Sequence, residues 1–298
     1  MGVSTKRLLI TGGSGQLGRR AAEFALEKCP PERLILVTRN LEALADLRAR
    51  GADVRFGDFG DPPSLRKAFA GGERMLLVST TDLGRRVAQH RAAIDAAVAA
   101  GVGHVIYTSV LSPAPPNPGV IAPSHHFTEK ALADSGMSWT VLRNSLYADY
   151  QVPEAVSAIE AGKLVHNRGT GRIAYVARED CAAVASAVLT ADAHADAVYD
   201  VTGPHSYDAA ELAALYGELG GRRVEAVALD DAAFIASIVG AAGDDDHARY
   251  GAELVASLGR SIREGYLASC TDRVAEFTGR PARTLRQVLE GKLNSAQA

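Results

Sequence analysis

The sequence predicts an α/β fold: a doubly wound parallel sheet with a smaller, mainly helical C-terminal half. Three observations predict it. Short apolar runs alternate with helical patterns through the first half, and strands that alternate with helices imply a parallel sheet covered on both faces. The runs are almost continuously apolar, as strands buried on two faces are. The first run feeds a glycine-spaced turn that opens directly into a helix.

The runs are Arg7–Thr11, Leu34–Thr38, Val54–Phe56, Met75–Ser79, Val105–Thr108 and Thr140–Leu142. Between them lie helical patterns such as Arg19–Lys28 and Gly84–Ala100, the latter with Val87, Ile94 and Val98 on one face. Further on, Lys163–Val165, Arg172–Tyr175 and Val198–Val201 read as short strands, and Arg178–Thr190 as a helix that packs back on the sheet. From Tyr207 the chain reads as mainly helical. The division expected is a cofactor domain over 1–150, joined again by 178–202, and a smaller substrate-binding part over 151–298. Pro113–Gly119 must be a loop, because proline feeds neither a helix interior nor a central strand.

After the strand Leu8–Ile10 comes Thr11-Gly12-Gly13-Ser14-Gly15-Gln16-Leu17-Gly18. Glycines at 12, 15 and 18 suit a dinucleotide pyrophosphate. Gly12 permits the sharp turn, Gly15 lets backbone approach phosphate, and Gly18 lets the helix lie close. The helix start, with Gln16 and Leu17, offers free amides and a positive dipole end. This makes the fold a Rossmann-type one.

The second strand ends Leu36-Val37-Thr38-Arg39-Asn40. An NAD site usually places a carboxylate here to hold the ribose 2′-hydroxyl. Arg39 stands there instead, and a guanidinium grips a 2′-phosphate, so NADP(H) is the cofactor expected. Asp58 and Phe59 end the third strand, placed to meet the adenine; Asp58 also opens a turn into Asp61-Pro62-Pro63, which caps the next helix. Ser79 and Thr80 fall at the crevice edge, where they can line a ribose.

Composition narrows the class. Net charge is −3 with no basic block, which argues against nucleic acid. No apolar run reaches the roughly 18 residues of a membrane span. Cys29, Cys181 and Cys270 form neither a metal spacing nor a disulfide framework, so a reducing cytoplasm is expected. The run Gly243–His247 reads as a solvated helix start.

These segments, with His125-His126-Phe127-Thr128-Glu129-Lys130, Thr140–Asn144 and Glu276–Pro281, resemble the NmrA-like atypical short-chain dehydrogenases. Within them the chain looks most similar to the type 2 NAD(P)H:quinone oxidoreductase and triphenylmethane-reductase branch. The likeness is dense up to Tyr150 and thin from Pro204 to Gly265. It implies NADP(H), a cleft between two halves, and hydride delivery to a small quinone or aromatic acceptor, with no flavin or metal.

Ordinary short-chain dehydrogenases carry a Tyr-x-x-x-Lys pair. Here Lys130 follows the fifth strand, but His126 stands four before it and His125 five before it. The resemblance points to His125; spacing alone does not choose between the two. The expectation is that His125, with a near-ordinary pKa, orients or protonates the acceptor while Lys130 supports the site. Tyr107, at the end of the fifth strand, either meets the acceptor or packs under the sheet. Asn144 is placed to pair with the nicotinamide amide or with backbone and Tyr147 to wall the acceptor pocket, with Arg143 as an internal ion-pair partner. A biosynthetic ketoreductase or enone reductase, and a non-catalytic NADP-sensing protein, are the alternatives. The oligomer expected is a monomer or homodimer.

Overall fold

The computed structural model describes residues 6–242 and 245–297. The first half runs β1 (Leu8–Thr11), α1 (Gln16–Leu26), β2 (Leu34–Thr38), α2 (Ala45–Ala49), β3 (Asp53–Phe56), α3 (Pro62–Phe69), β4 (Arg74–Leu77), α4 (Arg86–Ala99), β5 (His104–Val110), α5 (Ala122–Ala133) and β6 (Ser138–Asn144). The second runs α6 (Gln151–Ala161), β7 (Lys163–His166), α7 (Arg178–Thr190), β8 (Ala197–Val201), α8 (Ala209–Gly220), β9 (Glu225–Ala228), α9 (Asp231–Ala242), α10 (Asp246–Arg263), α11 (Arg273–Thr278) and α12 (Leu285–Gln297).

One parallel sheet takes the order β3-β2-β1-β4-β5-β6-β8. The order reverses between β1 and β4, and open α/β sheets bind ligands outside the carboxyl ends of the strands at such a switch point. Side chains alternate between two cores, as a strand period of two demands. Leu8, Ile10, Leu34 and Leu36 pack with α1 and α7, while Leu9, Ile35, Val37 and Met75 pack with α3 and α4. Each fully buried leucine is worth roughly 1.5–3 kcal/mol, so the sheet is a rigid platform for what sits on its edge. Alanines at 21, 22 and 25 on α1 and at 182 and 185 on α7 allow those helices to approach closely.

A third core gathers Tyr175, Tyr216 and leucines of α8 and α12. Asp180 of α7 is fully buried and accepts from Arg280 Nη1 and from the Arg283 amide, both at 2.7 Å. That pair of bonds ties the C-terminal segment to α7.

Two readings need correction, and one strand goes beyond what the sequence pattern shows. Arg172–Tyr175 is not a strand; it contributes only isolated bridges, Ile173 to Tyr207 and, just beyond, Val176 to Tyr147. β7 does form, but it pairs with β9, a strand with no clear alternation in the sequence, in a separate two-stranded sheet. On α4, Ile94 is buried but Val87 and Val98 are 46% and 47% exposed. The face turned inward carries Arg86, His90, Ala93 and Ala97, because it serves the cleft as well as the core. Of the run Gly243–His247, residues 243 and 244 lie outside the described residues; Asp245 caps α10, accepting from the Ala248 amide.

The loop after β5 lies against α10: Val120 donates to Ser257 Oγ at 3.1 Å, and Ser261 Oγ donates to Asn117 Oδ1 at 2.7 Å. Among the described residues no helix is long and apolar enough to cross a membrane.

Candidate active site

A cleft of about 570 Å³ opens at the carboxyl ends of β1, β2, β4, β5 and β6. It brings together twelve of the residues expected from sequence: Gly12, Gly15, Gln16, Leu17, Arg39, Asp58, Phe59, Ser79, Thr80, His125, Asn144 and Tyr147.

The glycine turn is built as its spacing requires. Gly12 adopts a left-handed φ of 61°. A Cβ on Gly18 would stand 2.3 Å from the Gly12 carbonyl oxygen, so only glycine lets α1 meet the strand end this closely. No acidic residue stands in the first turn of α1 and no side chain caps it, leaving its amides for an anion. Gly13 donates to the Val37 carbonyl at 2.9 Å, and Ser14 and Thr38 hydroxyls bond at 2.7 Å, so the turn is anchored to β2. Next to it, Arg39 is exposed on the cleft rim and, among the described residues, has no ion-pair partner.

Asp58 uses Oδ1 to accept from the Gly60 amide at 2.9 Å. Asp61 stands at the start of α3, but its side chain does not cap it; instead Ser64 Oγ donates to the Asp61 carbonyl at 2.6 Å. Phe59 lines the cleft and meets the His90 ring edge-on, centroids 6.4 Å apart.

At the other end a buried polar chain lies under the cleft floor. The Thr80 amide donates to His90 Nε2 at 3.1 Å, so the His90 proton sits on Nδ1 and reaches Thr128 Oγ1 at 2.9 Å. Arg86 Nη1 donates to His125 Nε2 at 3.2 Å, which places the His125 proton on Nδ1, 2.7 Å from Tyr107 Oη. Both histidines are therefore neutral. Burial and the nearby Arg86 charge push His90 down to about 3 and His125 well below the usual imidazole range. The expectation of a near-ordinary pKa for His125 is overturned by this burial. Tyr107 is fully buried and reaches the cleft only through His125; burial pushes its phenol up.

The neutral histidines make stability pH-dependent. Below pH 6.5 the unfolded chain takes up protons that folded His90 refuses until about 3 and folded His104 until about 4. Stability is thus complete above 6.5 and falls as pH drops through that window, each histidine contributing about 1.4 kcal/mol per pH unit. Thermal melts from about pH 7.5 to about pH 5 are expected to show a falling Tm; a flat profile would contradict the neutral assignments.

Lys130 is not brought to the site. It is exposed and does not line the cleft. Five helical positions separate it from His125, about 140° around the axis, so an inward His125 turns Lys130 out. Glu129, four positions on, stays on the inner side. It accepts from Ser109 Oγ at 2.6 Å and from Arg143 Nη2 at 2.7 Å, making Arg143 the internal ion-pair partner expected. The His126 ring is tilted against that of the exposed Phe127, centroids 6.5 Å apart, and does not line the cleft.

Among the described residues, three buried polar atoms on the cleft have no hydrogen-bond partner: Gln89 Oε1, Asn144 Oδ1 and Ser145 Oγ. Orphaned groups of this kind are costly unless a ligand satisfies them, and a carboxamide or ribose supplies the matching donors. Asn144 Nδ2 donates to Tyr147 Oη at 3.3 Å. The Arg178 guanidinium lies 5.3 Å from the Tyr147 ring and 5.0 Å from the Tyr150 ring, forming one wall of the cleft. Sequence reasoning missed Arg86, His90, Gln89, Ser145 and Arg178. The signal for the first two was their spacing of four on α4, which set two polar residues on one helical face.

Residues 12–192 match the profile of a family described as NAD(P)H-binding. The chain belongs to this family. Quinone oxidoreductase 2 of Escherichia coli, another NAD(P)H-binding protein by its structure with NADPH, is 33% identical over 287 residues, 96% of this chain and 99% of its own length. That complex superposes with a TM-score of 0.91, covering 96% of this chain and 100% of the other. The Citrobacter sp. triphenylmethane reductase complexed with NADP(H) is 30% identical with a TM-score of 0.87, covering 95% and 99%. The NAD(P)H azoreductase of Xenophilus azovorans is 29% identical over 280 residues, 94% of this chain and 96% of its own. The motif resemblance to NmrA-like short-chain dehydrogenases is matched by relatives that align with up to 96% of the chain.

Proposed function

We propose that this NAD(P)H-dependent oxidoreductase uses NADPH to reduce a quinone or a related conjugated aromatic acceptor. The preference for NADPH rests on Arg39, an unpaired guanidinium on the rim next to the glycine turn. The turn and the α1 amides would hold the pyrophosphate, and Asn144, Ser145 and Gln89 the nicotinamide half. Bound NADPH supplies the hydride.

The observation that carries the acceptor class is the neutral His125, bonded on both nitrogens, in a chain whose position four before Lys130 is His126 and not a tyrosine. His125 is not set to push a proton onto a strongly basic alkoxide. Reduction of an extended acceptor leaves a delocalised, weakly basic anion that solvent protonates, so positioning carries the rate. Tyr147, Tyr150 and Arg178 present a flat, π-rich wall suited to such a ring. His125 then orients and does not protonate. The three thiols are free, which fits a reducing compartment such as the cytoplasm.

A panel of benzoquinones, naphthoquinones, cationic dyes and aryl ketones, followed by NADPH absorbance, tests this reading. Quinones are expected to react fastest. Turnover of ketones alone would favour the biosynthetic alternative, and unchanged absorbance with every acceptor would favour a sensor.

A further inference from the structure

Arg86 is the one buried cleft guanidinium whose charge the protein leaves unanswered among the described residues; Arg39, also unpaired, is exposed to solvent. The Arg86 side chain is 6% exposed. Nε donates to the Thr80 carbonyl at 2.8 Å, and Nη1 to Ser124 Oγ and His125 Nε2, each at 3.2 Å. All three acceptors are neutral, and no carboxylate of the described residues lies within ion-pair distance. Other buried guanidiniums are compensated. Arg168 pairs with Glu154 at 2.6 Å, and Arg74 binds the Val188 and Leu189 carbonyls at the negative end of α7.

A buried cation without a counter-charge costs several kcal/mol, and proteins keep one where a ligand brings the negative charge. The surroundings hold Arg86 in place without neutralising it. Tyr107 and Tyr250 are the acidic groups whose fields reach it, both phenols, and the facing His125 and His90 are neutral. Tyr107 fixes the His125 ring, and His125 fixes the guanidinium. Two anions enter such a cleft, the cofactor phosphates and the reduced acceptor. The glycine turn assigned to the phosphates lies at the ends of β1 and β2, whereas Arg86 bridges the end of β4 to α5, on the other side of the switch point.

Resting on the quinone-reductase reading, we propose that Arg86 is a catalytic residue that stabilises the negative charge developing on an acceptor oxygen, with His125 and Tyr107 as positioning residues. The electron balance requires such a group. The donor C–H bond breaks, its hydrogen and electron pair form an O–H bond at one quinone oxygen, and the ring π electrons shift so that the other carbonyl's π pair moves onto its oxygen. The product is a hydroquinone monoanion, which the guanidinium holds until a solvent proton neutralises it.

The test reads charge recognition without turnover. The NADP⁺-loaded enzyme is titrated with 4-nitrophenol, whose phenolate absorbs separately from the phenol. On the wild type the ionisation midpoint is expected to fall by about one pH unit, a tenfold preference for phenolate. Arg86→Gln should remove most of that preference while NADP⁺ affinity changes by less than about threefold. Arg86→Lys, which keeps the charge and guards against a misfolded variant, should retain part of it. The proposal is overturned if the wild type shows no phenolate preference, if the preference survives Arg86→Gln, or if the variants lose NADP⁺ affinity instead. Phenolate preference through Arg86 in an enzyme that reduces no quinone would sink the quinone reading alone; quinone turnover with a preference indifferent to Arg86 would sink this proposal alone.

Discussion

Replacing Gly18 by alanine is expected to weaken NADPH binding by about a hundredfold, read as Kd in a cofactor-fluorescence titration. The added Cβ would lie 2.3 Å from the Gly12 oxygen, 2.9 Å from the Gly12 carbonyl carbon and 3.2 Å from the Thr11 oxygen. All are backbone atoms, so no side chain can swing aside. The turn must shift as a unit, and its amides leave the pyrophosphate. Hydrogen bonds to a charged group are worth roughly 1.5–3 kcal/mol each, so losing one or two gives the effect. Gly251→Ala, in the interior of α10 with nothing within 4 Å of the new carbon, is the control. It should leave Kd unchanged and add up to about 1 kcal/mol of stability from helix propensity. Equal effects of the two substitutions would contradict the pyrophosphate assignment of the turn.

Arg39→Ala is expected to cut kcat/KM for NADPH by about thirtyfold while leaving NADH within about twofold, measured with one quinone as acceptor. The guanidinium is exposed, which screens its charge, so the loss is set near 2 kcal/mol and not at the limit for a buried pair. A 2′-phosphate compensates through its double charge and bidentate geometry. Equal losses with both cofactors would assign Arg39 to a phosphate they share, or to stability.

Much of the fold was legible because apolar periodicity reports burial. Every strand of the large sheet and the helix Arg178–Thr190 follow from it. The turn Gly12–Gly18 was legible for a different reason: backbone conformation and close approach restrict those places to glycine. What stayed hidden was polar burial. Arg86 and His90 look like residues of a solvated helix face, and only tertiary structure sets them under the cleft. The same blindness moved the inner face of α4 onto Val87 and Val98. Lys130 misled in the opposite way, since a motif position carried an expectation that the angle around α5 does not meet. β9 was missed because its pairing partner β7 lies far away in the chain, and a short edge strand has little pattern of its own.

The central claim is NADPH-dependent reduction of a quinone in this cleft. The most direct measurement is the initial rate of NADPH oxidation with 1,4-benzoquinone, corrected for the uncatalysed rate, with hydroquinone quantified and NADH run in parallel. The account predicts one hydroquinone per NADPH consumed and a kcat/KM at least about tenfold higher with NADPH than with NADH. A corrected rate of zero, or a preference for NADH, would contradict it.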